Sequence, residues 1–128
     1  MKKILIGTHN KGKFKEISYL ISKKIKKVSP ISLKIKSPRE TGKTFVENAK
    51  LKANYFSKFT HLPVISDDSG LCIKSLNNKP GIYSARWAKK YGSFYRAMKI
   101  ILKKIKDKKK DRSAFFICSL SFKDSKGK

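Results

Sequence analysis

Four of the eight acidic residues in this 128-residue chain lie within one short stretch, which makes them the first candidates for chemistry. They are Glu40, Glu47, Asp67 and Asp68, in a protein whose 33 Lys and Arg residues give a net charge of +25. The adjacent aspartates repel each other unless a cation or hydrogen bonds offset the repulsion. Mg²⁺ binds one or two carboxylates together with substrate phosphates. The stretch is therefore a candidate metal and phosphate site, with Glu40 as a second ligand beside the aspartates.

A second candidate is the segment GTHNKGK from Gly7 to Lys13, which has the G-x-x-x-x-G-K spacing of a P-loop. The next residue is Phe14, whereas a P-loop needs Ser or Thr there to hold Mg²⁺. An anion can still bind without that residue, because backbone N–H groups at the start of a helix favour a negative charge. Thr8 and Asn10 can donate hydrogen bonds, and Lys13 supplies a charge. An ordinary strand-to-helix turn with a surface lysine is an equally good interpretation of this segment alone.

Structural interpretations compete for several of these residues. Glu47 completes the T-x-x-E pattern of a capping box that starts at Thr44, and this role is favoured over chemistry. Asp67 suits a turn as well as it suits direct chemistry. Lys52 and Arg86, taken singly, are expected to be surface residues. They gain interest only from the motifs around them.

Apolar periodicity predicts the elements that position these residues. Expected helices cover 11–22 and 44–58, and a helical apolar stripe runs from Tyr91 to Ile105 ahead of an exposed KDKKKDR loop. Expected strands cover 3–7, 24–29, 32–36, 62–66, 71–75 and 114–122. Asp67–Gly70 is predicted to bend between two strands, at the carboxyl edge where open α/β sheets bind ligands. Because neighbouring strand residues face opposite ways, only one of the two aspartates is expected to face the site.

Composition limits the classes of function. Only four of the basic residues are Arg, the side chain that best matches phosphates and base edges, so a solvated lysine surface is favoured over a nucleic-acid interface. The two cysteines, Cys72 and Cys118, form no CxxC pair and suit a reducing compartment. No apolar run is long enough for a membrane span or a signal peptide. We therefore expect a cytoplasmic protein without a membrane partner, and nucleic acid as an unlikely one.

Together these segments resemble the inosine triphosphate pyrophosphatase (ITPase) family. The matching pieces are THNKGKFKEI at 8–17, ETGKTFVENAKLKA at 40–53, SDDSGLCI at 66–73, PGIYSARWA at 80–88 and FFICSLSF at 115–122. The resemblance implies an α/β fold with an elongated mixed sheet flanked by helices, a homodimer, and Mg²⁺-dependent cleavage of a purine nucleoside triphosphate. ITP, dITP and XTP would each yield a monophosphate and pyrophosphate.

The resemblance also implies roles for individual residues. Asp68 matches the general base and, with Glu40, the metal-associated carboxylates. His9 stands where the family often has Gly, and we interpret it as a tolerated variant. The substrate-binding positions implied by the match are Thr8, Asn10, Lys11, Gly12, Lys13, Lys52, Ser69 and Arg86.

The sequence departs from the family pattern toward its end. The family's domain continues past position 128 with a Phe-Gly-Tyr-Asp segment and a Ser-His-Arg segment that hold the base, and neither occurs here. We therefore expect the N-terminal portion of a single ITPase-like domain, truncated at its C-terminus. An inactive truncated remnant and a basic nucleic-acid-binding module remain as alternative interpretations.

Overall fold

The chain contains both helices and strands, and its structure is a computed structural model that describes residues 2–106 and 111–128. The elements in order are β1 (Lys3–Ile6), α1 (Lys11–Leu20), β2 (Lys26–Val28), α2 (Phe45–Ser57), β3 (Val64–Ile73), β4 (Lys79–Pro80), α3 (Ser84–Tyr91), α4 (Phe94–Ile105) and β5 (Ala114–Lys123). They form two compact units, one of residues 1–68 with 119–128 and one of residues 69–118. None of the helices described is long and apolar enough to cross a membrane.

Parallel strands form the centre of the first unit. Strand β1 pairs with β2 on one side and with β3 on the other, and Leu5 lies opposite both Val28 and Val64. The apolar stripe of α2 supplies Phe56, which packs with Leu5, Val64 and Ile35 in a core from which solvent is excluded. This packing fixes α2 against the strands, and thus fixes the polar residues that α2 carries.

The second unit combines helices with antiparallel pairing. The end of β3 pairs with β4, with Cys72 opposite Pro80, and β5 also pairs with β3. Helix α4 buries Ile101 and Ile105 against Ile73, with Trp87 of α3 beside them. Parallel and antiparallel pairs together make a mixed sheet, so the predicted mixed α/β class is confirmed.

The predicted strand over 32–36 and the predicted bend over 67–70 are both wrong. Residues 32–36 form turns, because the carbonyl of Pro30 accepts the N–H groups of Leu33 and Ile35, and Lys34 has a positive φ of 57°. Residues Asp67–Gly70 do not bend, because β3 runs unbroken from Val64 to Ile73. The short polar residues suggested a turn, but pairing with neighbouring strands keeps this backbone extended.

The helical stripe predicted from Tyr91 to Ile105 is divided between two helices. Gly92 ends α3 with a φ of 95°, and Ser93 caps α4 by accepting the N–H of Arg96 at 3.1 Å. Helix α3 begins at Ser84, and its residues before Tyr91 lie outside every helix predicted from the sequence. Of the predicted KDKKKDR loop, residues 107–110 lie outside the described residues.

Strand β5 has the predicted alternation, and its apolar face is open. Phe116, Leu120 and Phe122 fall on one side at alternate positions, and all three are exposed, Phe116 by 79%. The strand carries large apolar side chains to the surface of the described chain.

Candidate active site

The turn between β1 and α1 is held by a chain of local hydrogen bonds. Gly7 N–H donates to the Ile65 carbonyl at 2.7 Å, and the buried Thr8 Oγ1 accepts Asn10 N–H at 3.1 Å. Asn10 caps α1, with its Oδ1 accepting Lys13 N–H at 3.0 Å. The first N–H groups of a helix point out of its end, so the N–H groups of Lys11 and Gly12 are directed toward any anion bound there. The strand, turn and helix predicted for this segment are confirmed.

Close backbone approach explains the glycine at the start of this turn. A Cβ on Gly7 would lie 2.2 Å from Ser66 Oγ and 2.6 Å from a ring carbon of Phe56. His9 follows, with Nε2 at 2.8 Å from the Ile35 carbonyl oxygen and its ring stacked on Phe56 at 5.9 Å between centroids. The imidazole thus joins the turn to the core, consistent with its interpretation as a structural variant.

The turn borders an open cleft of about 230 Å³. Phe14 and Ile31 supply apolar walls, and Thr8, His9, Asn10, Lys11 and Ser29 line the remainder. The polar groups of the turn are therefore accessible to a ligand from this side.

Lys13 connects this turn to the aspartates of β3 through an ion pair. Its Nζ lies 3.2 Å from Asp67 Oδ2, and Asp67 is only 3% exposed. The ammonium offsets the cost of holding that carboxylate away from water. Sequence reasoning placed Lys13 and the aspartates in one site, and the structure brings them together within the first unit.

Asp68 lies in a different electrostatic environment from its neighbour. It is 4% exposed, and burial, followed by the negative charge of Glu40, raises the pKa of its carboxyl above the ordinary 3.8. The amide of Asn48, followed by the charges of Lys52 and Lys13, partly opposes this rise in pKa. Both aspartates thus lie near Lys13, whereas only one had been expected to face the site.

Glu40 reaches the site through a second ion pair. Its Oε1 lies 3.1 Å from Nζ of Lys52, a lysine whose side chain α2 buries. Glu47, nearby in sequence, accepts Lys43 N–H at 2.7 Å, while Thr44 Oγ1 accepts Glu47 N–H at 3.1 Å. The structural role favoured for Glu47 is confirmed: it stabilises the start of α2.

The donor atoms can be tested against the Mg²⁺ that the resemblance implies. No group of three or more His, Cys, Asp and Glu side chains able to hold a metal occurs among the described residues. Glu40 and Asp68 do provide two carboxylates, and Oδ2 of Asp68 is buried with no hydrogen-bond partner in the described structure. Such a pair fits Mg²⁺ that completes its coordination with phosphate oxygens and water.

Two predicted binding residues belong to the second unit. Ser69 is half-buried in β3, and Arg86 is exposed on α3, with its guanidinium carbon 5.0 Å from the centre of the Tyr83 ring. Their predicted contacts with substrate stay predictions.

Sequence reasoning missed two polar residues of the first unit, Asn48 and Ser66. Both are completely buried, and neither Asn48 Nδ2 nor Ser66 Oγ has a hydrogen-bond partner within the described ranges. Helical spacing could have revealed Asn48. It lies four residues before Lys52, on the side of α2 that faces inward with Ala49 and Phe56.

These features define a mixed α/β protein with a sheet flanked by helices and a cluster of carboxylates and lysines at a helix N-terminus. The sequence model of the Ham1 family matches residues 4–128, and the chain belongs to that family. It is similar to proteins named dITP/XTP pyrophosphatase. One from Haemophilus influenzae is 50% identical over 72% of this chain and 48% of the relative. One from Zymomonas mobilis is 38% identical over 93% of this chain and 58% of the relative.

Solved structures agree with this membership. A HAM1 protein from Coxiella burnetii superposes with a TM-score of 0.84 at 35% identity, covering 95% of this chain and 63% of the other. The Staphylococcus aureus Ham1 protein superposes with a TM-score of 0.81 at 35% identity, covering 96% of this chain and 64% of the other. The chain spans about half the length of the curated relatives it matches.

Proposed function

We propose that this protein hydrolyses non-standard purine nucleoside triphosphates, namely ITP, dITP and XTP, to the monophosphate and pyrophosphate. One observation carries the proposal: the Lys13–Asp67 pair, the Glu40–Lys52 pair and the buried Asp68 gather beside the N-terminus of α1. Lysines and helix N–H groups suit a polyphosphate, whereas buried carboxylates suit a metal and a proton acceptor. The names of the relatives, dITP/XTP pyrophosphatase, support the same reaction with dITP and XTP as substrates.

Asp68 is the proposed general base. Its carboxylate would take a proton from a water molecule whose oxygen attacks phosphorus at the α–β anhydride. The new P–O bond replaces the bond to the bridging oxygen, and pyrophosphate leaves. A raised pKa makes the ionised carboxylate a stronger proton acceptor, so burial and Glu40 favour this role once the group is ionised.

The basic residues would bind and orient the triphosphate. Lys13 and Lys52 neutralise phosphate charge, while Thr8 and Asn10 donate hydrogen bonds from the turn, with the N–H groups of Lys11 and Gly12. Lysine suits this task as a compact point charge. Positioning and electrostatic stabilisation dominate catalysis of phosphoryl transfer.

Glu40 and Asp68 would hold Mg²⁺. When bound, the ion supplies charge neutralisation at the phosphate oxygens. The remaining parts of the proposal rest on the family resemblance: contacts from Ser69 and Arg86, a homodimer and a cytoplasmic location.

The experiment is to incubate the purified chain with ITP and XTP and to measure pyrophosphate and orthophosphate separately. We expect pyrophosphate from both nucleotides in the presence of Mg²⁺ and no release after chelation. Asp68→Asn serves as the control for a contaminating enzyme. Orthophosphate as the first product, or equal release by wild type and Asp68→Asn, would contradict the proposal.

A further inference from the structure

Asn48 has no role in the reaction proposed above, yet it occupies the interior of the site. Its side chain is 0% exposed, and it lies in the first turn of α2, one helical turn before Lys52. Asn in a helix interior gives no advantage in helix propensity over Ala, and a buried amide must recover the hydrogen bonds it loses with water. Its position therefore needs a reason other than formation of the helix.

The oxygen of this amide holds the loop that carries Glu40. Asn48 Oδ1 accepts Gly42 N–H at 2.7 Å. The loop approaches so closely that a Cβ on Gly42 would lie 2.6 Å from Asn48 Oδ1 and 2.8 Å from Glu47 Cβ. Any side chain at position 42 would push the loop away from α2. The glycine and the amide thus act together to fix a backbone segment two residues from Glu40.

The nitrogen of the same amide lies near the other carboxylate. Asn48 Nδ2 is buried with no hydrogen-bond partner among the described residues, and the same holds for Asp68 Oδ2. The two side chains are near enough that the amide favours the ionised carboxyl and lowers the pKa of Asp68. A buried donor left without a partner costs about 1–3 kcal/mol, so the group is expected to find one when the site is occupied.

We propose that Asn48 is a positioning residue that fixes Glu40 and Asp68 relative to each other. Its Oδ1 holds the loop that carries Glu40, and its Nδ2 orients the Asp68 carboxylate. The inference rests on the proposed role of these two carboxylates in binding a divalent cation. It adds a residue that touches neither the metal nor the substrate. Groups that orient metal ligands typically contribute a factor of about 10–100 to metal affinity.

The test measures Mn²⁺ binding by calorimetry in the absence of nucleotide, with the whole 128-residue chain. Asn48→Ala and Gly42→Ala should each weaken Mn²⁺ binding by about 10-fold or more. The double variant should bind no more weakly than the poorer single variant, because both changes break the same contact. Thr41→Ala, an exposed change in the same loop, is the matched control and should leave affinity unchanged. Amide hydrogen exchange at Gly42 should accelerate in Asn48→Ala and stay slow in Thr41→Ala.

The outcomes separate this inference from the function on which it rests. Wild-type affinity in both Asn48→Ala and Gly42→Ala, or fully additive losses in the double variant, would overturn the role of Asn48 alone. A wild-type chain that binds no Mn²⁺ would overturn the Glu40–Asp68 metal pair and this inference with it. Pyrophosphate release from ITP tests the enzyme independently. Should Asn48→Ala fail to fold by circular dichroism, Gly42→Ala with its Thr41→Ala control decides the question.

Discussion

Asp67 and Asp68 are neighbours in one strand, but the structure gives them different partners. Asp67 forms an ion pair with Lys13, whereas Asp68 faces the negative charge of Glu40 as well as two lysines. Burial and the charge of Glu40 raise the pKa of Asp68, which supports the general-base role proposed for it. Asp67 instead holds Lys13 through its ion pair.

We expect Asp68→Asn to reduce kcat for pyrophosphate release by about 10²–10⁴-fold, because the amide cannot accept the proton from water. Asp67→Asn should reduce kcat less, since it weakens only the hold on Lys13. Steady-state assays on both variants, with folding checked by circular dichroism, provide the measurement. A larger loss in Asp67→Asn would exchange the two roles.

Asp68→Asn should also change the stability of the folded protein in a pH-dependent way. The pKa of Asp68 is raised in the folded state, so the folded protein binds this proton more tightly than the unfolded chain. Its contribution to stability is therefore present below the ordinary pKa of 3.8 and is lost as pH rises through the folded-state pKa. We expect Asp68→Asn to have a higher Tm than wild type at neutral pH, with the difference vanishing toward about pH 4.

Asp111 provides a control, because its pKa is shifted in the direction opposite to that of Asp68. Hydrogen bonds from Ser113 lower the pKa of this exposed carboxyl, so its contribution is present above the ordinary pKa and is lost as pH falls through the folded-state value. Asp111→Asn should give no increase in Tm at neutral pH. A gain for Asp68→Asn that is equal at all pH values would show that packing, and not ionisation, is the cause.

Sequence reasoning found most of the charged residues of the site but not how they pair. Glu40, Asp68, Lys13 and Lys52 were named from types, spacing and resemblance, and they lie together in the first unit. The contact of Lys13 with Asp67 depends on where a helix start meets a strand, which no local pattern encodes. Asn48 was missed, although its spacing of four residues from Lys52 places it on the inward side of α2.

At the scale of elements, the site depends on how closely the first turn approaches β3. Gly7 lies so near Ser66 and Phe56 that only a residue without a side chain fits. This contact sets the spacing between β1, which leads into the turn proposed to bind phosphate, and the strand that carries the aspartates.

We expect Gly7→Ala to lower the free energy of unfolding by about 1–3 kcal/mol, the usual cost of forcing extra volume into a packed core. Gly12→Ala is the matched control, because the nearest atom to its Cβ would be Asn10 Oδ1 at 3.2 Å. Its effect should stay within about 1 kcal/mol, since Ala also favours the helix. Urea unfolding curves measure both, and equal effects of the two changes would contradict this account.

Elements with strong local signals were predicted well. The capping box at Thr44 and the apolar stripe that follows it placed α2 within a residue of its observed limits. The failures arose where tertiary contacts override local preference. Pairing keeps residues 67–70 extended, and hydrogen bonds to the Pro30 carbonyl fold residues 32–36 into turns. Gly92, with its positive φ, divides a stripe that hydrophobic periodicity alone reads as continuous.

At the scale of the whole molecule, the net charge of +25 affects how ligands arrive. A strongly basic surface attracts triphosphates from a distance, and salt screens this attraction. We expect the KM for ITP to rise as KCl is increased to about 0.2 M while kcat stays constant, because screening acts on encounter and not on the chemical step. Initial rates across a salt series provide the measurement. A constant KM would show that the lysine-rich surface does not influence binding.

The network around the β1–α1 turn has one more consequence. Thr8 and Asn10 tie the turn to itself, His9 ties it to the carbonyl of Ile35, and Lys13 ties it to Asp67, all without any ligand. Because this segment is already constrained, it loses little configurational entropy when an anion binds. Selectivity among anions would then depend on their fit to this rigid turn, and pyrophosphate, as the proposed product, should compete there with the intact nucleotide.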